Sequence, residues 1–276
     1  MDVSVIVPAN NEEAYIGACL EALRGQQMGN LRGEVIVAAN ACDDGTVEVA
    51  ECGRSALEAR GWILRVLNLP EPGKVGAFNA ADQLAVGDIL IYLDADVVME
   101  PDMIAALHTQ LAVPGPRYAS GVLRVARAKS WVTRRFATTW QRLPFMVTNV
   151  QGAGLFAVNR AGRARWGTFP DIIADDAYVR LLFAPDERVK VSPAYIWPLV
   201  EGFRRLVRVR RRQDAGVQEI AVKFPGILAN ESKPPMRVMD HLMLLARIPV
   251  SYLVYVSVML AVKLGPRNAS GWTRGR

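Results

Sequence analysis

Cysteine is scarce in this chain. The 276 residues carry three, Cys19, Cys42 and Cys52, and no two of them form a Cys-x-x-Cys pair. That number and spacing argue against a disulfide framework and a structural zinc site, and a reducing cytosol is the expected home. His108 and His241 are the only histidines and lack metal-ligand spacing, so packing or surface roles are expected of them. The Met-Asp start runs straight into a strand-like segment, without the basic and apolar regions of a secretory signal. A Gly-x-x-x-x-Gly-Lys-Ser/Thr phosphate loop, internal repeats and low-complexity tracts are all missing. Long apolar runs are missing too. Leu242 to Leu264 has about the length of a spanning helix, but Arg247 and Pro249 interrupt it and leave 15 charge-free residues, Ile248 to Val262. That is short of the ~20 a membrane span needs.

What is present is hydrophobic enough to fold. Half of the residues (51%) are apolar, which excludes disorder and allows a sizeable core. The net charge of +6 is concentrated: Arg204, Arg205, Arg208, Arg210, Arg211 and Arg212 fall within nine residues. Such a run is a solvated helix face by default. Because it precedes the apolar tail, contact with phosphate or an anionic membrane is favoured over that default. A nucleic-acid patch is not expected, since Phe203 is the only ring nearby for base stacking.

Strand and helix patterns alternate through the first hundred residues. Val3 to Val7, Glu34 to Ala39, Trp62 to Leu67 and Ile89 to Leu93 read as buried strands. Between them, Ile16, Cys19, Leu20 and Leu23 form a helical stripe, and Val75 to Leu84 reads as a further helix. This alternation predicts a parallel, doubly wound sheet with ligands beyond the carboxyl ends of its strands. Every polar cluster in this half stands at such an end. Further on, Tyr118 to Ala126 is expected as a strand, Ser130 to Leu143 as an amphipathic helix and Gln151 to Phe156 as a glycine-bearing strand. Asp175 and Asp176 open a helix, where carboxylates favour the positive end of the dipole.

Three clusters carry chemistry. Asp94-Ala95-Asp96 leaves a buried strand, and carboxylates at i and i+2 can both reach a Mg²⁺ or Mn²⁺ ion that keeps positions open for phosphate. A solvated turn is the plain alternative. Lys74 stands at a helix start beside orphan amides, a place suited to phosphate, although taken alone a solvated lysine is the favoured reading. Asp175 and Asp176 suit a general base, or simply the cap of their helix.

Taken in order, VSVIVPANNEE (3–13), VIVAANACDDGT (35–46), GKVGAFNAA (73–81), LDAD (93–96), GAGLFAV (152–158) and ADD (174–176) resemble the family 2 glycosyltransferases of the GT-A fold. The resemblance covers about residues 3 to 215. It implies an inverting transfer of a single sugar, hexosyltransferase-type, from a nucleoside-diphosphate sugar, UDP favoured. Pro8, Ala9, Asn11, Glu12, Asn40, Lys74, Asn79 and Ala95 would face the donor. Asp94 and Asp96 would hold the cation, and Arg212 would contact the diphosphate. Gly152, Ala153 and Gly154 would shape the acceptor and sugar pocket. Asp176, with Asp175 second, would be the base. The family's aromatic is replaced here by Asn10, and its uracil-reading aspartate is missing near Ala39. Without a full Gln-x-x-Arg-Trp motif, a processive synthase is not expected.

The expected architecture is α/β, a GT-A-like (Rossmann-like), mostly parallel sheet flanked by helices, with a C-terminal helical membrane-associating segment. The transferase domain would occupy 1–220, with a nucleotide half (1–115) and an acceptor half (116–220), and the tail would occupy 221–276. The tail reads as interfacial at the cytoplasmic face of the inner membrane, with a core or homodimer helix as the alternative. The expected partners are the sugar nucleotide, a lipid-linked or other saccharide acceptor of envelope or exopolysaccharide assembly, and the membrane surface, without nucleic acid. A nucleotidyltransferase and a catalytically silent sugar-nucleotide-binding protein are the competing classes.

Overall fold

In the computed structural model, residues 1–265 are described. They form an eight-stranded sheet in the order β3-β2-β1-β4-β7-β6-β8-β5. The strands are β1 (Val3–Ala9), β2 (Gly33–Asn40), β3 (Trp62–Leu69), β4 (Ile89–Leu93), β5 (Val98–Met99), β6 (Tyr118–Val125), β7 (Leu155–Asn159) and β8 (Arg188–Trp197). The first four pair in parallel. β1, β2 and β4 are buried along their whole length, as continuous apolar runs in a sheet covered on both faces should be. The expected helical stripe is also present: Ile16, Cys19, Leu20 and Leu23 are the buried residues of the helix Glu13–Arg24.

Beyond β4 the doubly wound expectation needs correction, because the sheet is mixed. β7 runs antiparallel to both β4 and β6, and β5 runs antiparallel to β8, while β6 and β8 are parallel. β8 was not expected as a strand, because the alternation of Arg188 to Ser192 breaks at Pro193. Its ten residues include Arg188, Lys190 and Pro193, and its pairing with β6 slips between Ser120 and Val122. Period-2 alternation is lost at such an irregularity. The expected glycine-bearing strand starts later than its pattern suggests, at Leu155. Gly154 has φ +78°, and a Cβ there would lie 2.7 Å from Trp197, so the backbone turns where only glycine fits.

Two apolar layers lie on opposite faces of the sheet. One packs Ile16, Leu23, Met103, Ile104 and Leu107 against β1, β2 and β4. The other holds Phe78, Tyr92, Phe156, Phe169 and Phe183. A third, smaller cluster gathers Phe136, Leu206, Val207, Val258 and Val262. It docks the helix Pro249–Leu264 onto the helices Trp131–Trp140 and Phe203–Lys223. The apolar run at 248–262 therefore buries one face against the protein. No described helix is long and apolar enough to cross a membrane. The helix Phe203–Lys223 runs through the expected boundary at 220, and residues 266–276 of the expected tail lie outside the described residues.

Candidate active site

The site lies at the carboxyl ends of β1, β2 and β4, where loops leave buried strands and polar groups are held by backbone. Asn40 closes β2 with its side chain turned inward. Its Nδ2 donates to the Ala9 carbonyl (2.9 Å), and its Oδ1 accepts from the Gly73 amide (3.0 Å). One buried amide thus joins the ends of β1 and β2 to the turn before Lys74. Asn10 adds bonds from its Nδ2 to the carbonyls of Asn40 (2.6 Å) and Ala41 (3.1 Å). Asn11 is left-handed (φ +55°) and exchanges side-chain and backbone bonds with Asp43. The Glu12 amide donates to Thr46 Oγ1 (2.8 Å), and the Gly45 amide to Glu13 Oε2 (3.2 Å). The two loops form one rim, which includes Asn11 and Glu12. Pro8 and Ala9 are buried in β1 just below it.

Lys74 is the first residue of the helix Lys74–Asp82, and Gly73 before it has φ +135°. Its Nζ lies 2.9 Å from Asp94 Oδ1 and 3.1 Å from Asp175 Oδ2. Asp94 ends β4, with its amide donating to the Gly154 carbonyl (2.9 Å). Asp175 opens the helix Asp175–Leu181 from the far half of the chain. A single ammonium therefore holds together three of the residues singled out from the sequence. Ala95 and Asp96 follow in the turn after β4, the former buried and the latter half-buried.

The electrostatics are one-sided. Asp94, Asp96, Asp175 and Asp176 share the site with Lys74. Burial acts against the lysine's charge, but Asp175, Asp94 and Asp176 outweigh it and hold its pKa well above the usual lysine range. For Asp175 burial dominates and, with Asp176 and Asp94 nearby, raises its pKa to about 6 against the opposing pull of Lys74. Excess negative charge, with two carboxylates on one strand exit, fits a hard divalent cation that shares its remaining positions with phosphate oxygens. Among the described residues no group of three His, Cys, Asp or Glu is arranged to hold a metal alone. The donor set fits a cation brought with its phosphates, not a closed protein cage.

The far side of the site, expected to take the acceptor, includes Gly152 to Gly154. A Cβ at Gly152 would meet the Tyr118 hydroxyl at 2.2 Å, and Asp176 O lies 3.6 Å from the same point. Tyr195 Oη donates to the Ala153 carbonyl (2.8 Å). The peptide is thus clasped between two buried phenols and the start of the Asp175–Leu181 helix. Asp176 is half-buried, and its Oδ1 accepts from the Ala177 amide (2.7 Å). Tyr195 and Trp197 come from β8, which was not expected as a strand, so the bond from Tyr195 to the Ala153 peptide was missed. The Lys74–Asp175 ion pair was missed because its partners lie a hundred residues apart.

Asn79, expected as a donor contact, is engaged within the protein. Asn79 spends both ends of its amide on Phe169, donating to its carbonyl (3.2 Å) and accepting from its amide (2.7 Å). It anchors the loop before the helix Asp175–Leu181. Arg212 lies on the helix Phe203–Lys223, one turn before Gly216 on the same stripe. A Cβ at Gly216 would come within 2.8 Å of Ala174, so this stripe backs the segment carrying Asp175. Two other arginines of the run are spent internally. Arg211 donates to the Ala261 (2.6 Å) and Val262 (3.3 Å) carbonyls, and Arg210 pairs with Asp214 (3.2 Å).

Residues 4–165 match the family model described as glycosyl transferase family 2. The chain belongs to that family. Among curated relatives, glycosyltransferase AglE of Haloferax volcanii is 36% identical over 94 residues, 34% of this chain and 30% of that one. The chain spans less than two thirds of the length of the curated relatives it matches. Among solved structures, the mannosyltransferase PcManGT from Pyrobaculum calidifontis, in complex with GDP-Man and Mn²⁺, superposes with a TM-score of 0.58 at 22% identity. That match covers 99% of this chain and 76% of the other. Glucosyl-3-phosphoglycerate synthase from Mycobacterium tuberculosis, with Mn²⁺ and UDP, gives 0.55 at 19% identity, covering 80% and 79%. At these identities the structures establish a shared GT-A-like fold.

Proposed function

We propose that this family 2 member moves one sugar from a nucleoside-diphosphate sugar to an acceptor hydroxyl, with inversion at the anomeric carbon. The observation that carries the reading is the Lys74 ammonium, 2.9 Å from the donor-side Asp94 and 3.1 Å from the acceptor-side Asp175. In this reading the diphosphate end and the acceptor end of the reaction lie within one side chain's reach.

In this reading Asp94 and Asp96 hold Mg²⁺ or Mn²⁺, which when bound neutralises charge on the leaving diphosphate. Lys74 supplies a further positive charge to the same phosphates. The rim of Asn11, Glu12 and Asp43 bounds the nucleoside. The glycine peptide 152–154 leaves room for the sugar. Asp176 takes the proton from the acceptor hydroxyl as its oxygen bonds to the anomeric carbon. The bond from that carbon to the phosphate oxygen breaks, and the nucleoside diphosphate leaves with the electron pair. Proton removal by a placed carboxylate is worth about 10²–10⁴-fold. Of the two aspartates, Asp175 is held by Lys74 and Asp176 is the one left for this task. Uridine is the favoured base, supported by the UDP present with the mycobacterial synthase. The acceptor reading is a lipid-linked saccharide met at the cytoplasmic face of a membrane, supported by apolar residues exposed on the helices Val238–Arg247 and Pro249–Leu264.

The test is transfer and donor hydrolysis with UDP-, GDP-, CDP- and dTDP-sugars, each with and without Mn²⁺. A metal-dependent signal with one donor is expected. Turnover and donor affinity that survive the double change Asp94→Ala, Asp96→Ala would end the reading.

A further inference from the structure

The helix Val238–Arg247 has a broad apolar face opposite Asp240, His241 and Arg247, and buries only Leu244. Val238, Met239, Leu242, Met243 and Leu245 are exposed along it. The following helix buries Val258 and Val262 and turns Val250, Leu253, Leu260 and Leu264 outward, a stripe at helical spacing. His241 and Tyr252 meet at 2.6 Å and fix the two helices to each other. Monomeric proteins seldom leave so continuous an apolar surface uncovered.

Two further observations identify what covers it. The first is charge. Residues 233–264 contain Lys233, Arg237, Arg247 and Lys263 against Asp240 alone. The Asp240 carboxylate already accepts from the Arg237 amide (2.8 Å). A second copy docked face to face would set this excess against itself, whereas an anionic surface complements it. The second is position. A cleft of about 300 Å³ opens between Arg142, Pro144 and Val147 on one side and Asp240, Met243, Leu244, Arg247 and Ile248 on the other. Val147 precedes Gly152 of the acceptor peptide by five residues, so the cleft wall lies within roughly 18 Å of it along the chain. Gln151 Nε2 donates to the Phe145 carbonyl (2.6 Å) and Lys190 Nζ to that of Val147 (2.8 Å), which hold this stretch in place. At 1.5 Å per residue the two helices measure about 15 and 24 Å, too short to cross ~30 Å of hydrocarbon but suited to lying in its surface.

We infer that the outward face of these two helices docks on an anionic membrane surface, with Arg142 and Arg247 seating a lipid phosphate at the cleft beside the acceptor peptide. The inference deepens the lipid-linked acceptor reading above by naming the surface that brings such an acceptor to Gly152. Apolar side chains insert shallowly, and the two guanidinium groups bind headgroup phosphate.

The full chain is sedimented with vesicles of phosphatidylcholine alone and of phosphatidylcholine mixed with phosphatidylglycerol. Wild type is expected to bind the mixed vesicles, more weakly at high salt. Leu242→Glu with Leu253→Glu should lower that partitioning about a hundredfold. Arg142→Ala with Arg247→Ala should lower it about thirtyfold on mixed vesicles, at roughly 1 kcal/mol per basic group, and leave neutral vesicles unaffected. All four positions are exposed, so folding should persist, and thermal unfolding midpoints near wild type confirm it. Donor hydrolysis in solution by the same variants should be unchanged, which separates failure of docking from failure of the transferase reading. Equal sedimentation of wild type and both variants overturns the inference. So does a wild-type dimer that the leucine variant splits while neither protein binds vesicles.

Discussion

Replacing Lys74 with methionine keeps the length and apolar stem of the side chain and deletes the charge that joins the two halves of the site. Asp94 and Asp175 would then face each other, with Asp96 and Asp176, without the ammonium now 2.9 and 3.1 Å away. Breaking a fully buried pair costs about 3–5 kcal/mol, and a charge-assisted hydrogen bond about 1.5–3. The Lys74 side chain is 35% exposed, so solvent screens part of the loss and about 2 kcal/mol is expected at neutral pH. For a chain of this size that lowers the unfolding midpoint by roughly 4–8 °C. The loss should depend on pH in a definite direction. Asp175 already titrates above its usual range because burial disfavours its charge. A carboxyl raised in this way stabilises the fold while protonated and loses that contribution as pH rises through its folded value. Without the ammonium its pKa rises further, so the penalty of the variant should be full near pH 7.5 and shrink towards pH 5. Calorimetry or fluorescence melts of both proteins across that range measure it. A deficit independent of pH, or none at all, refutes the argument that Lys74 is the counter-ion of these carboxylates.

Other expectations follow from the same geometry. Asp176→Asn should reduce turnover by about 10²–10⁴ while donor affinity by calorimetry stays near wild type; loss of affinity with turnover intact would remove the base assignment. Under the proposed function Asp94 and Asp96 hold the cation just after β4, so Asp94→Ala with Asp96→Ala should abolish the effect of Mn²⁺ on donor affinity, read by titration with and without the ion. Gly154→Val should be costly, by about 1–3 kcal/mol for the backbone at φ +78° plus the clash with Trp197, and a melt within a degree of wild type would contradict that. Asn79→Ala should lower the melting point by breaking both bonds to Phe169, yet leave donor affinity unchanged. A selective loss of donor affinity would restore it to the binding site.

The first half of the chain was legible because its physics is local. β1, β2 and β4 are buried on both faces, so their apolar runs announce strands. In a parallel sheet the polar residues that follow must gather at one edge, and the sequence alone thereby puts Asn11, Asn40 and Asp94 together. The second half was legible only in part: β6 and β7 were expected, and β8 was not. β8 contains Pro193 and charged residues and pairs with a register slip, so neither it nor the contributions of Tyr195 and Trp197 could be read from periodicity.

Amino-acid order alone determined the nucleotide half of the sheet, the edge at which ligands gather, and the identity of the acidic residues there, since these depend on burial patterns a few residues long. Tertiary structure alone decided that Lys74 spans Asp94 and Asp175, that Asn79 serves a loop, and that the apolar run at 248–262 covers the protein with one face. Those outcomes depend on which distant segments meet, and an ion pair or a buried face exists only once both partners have been brought together.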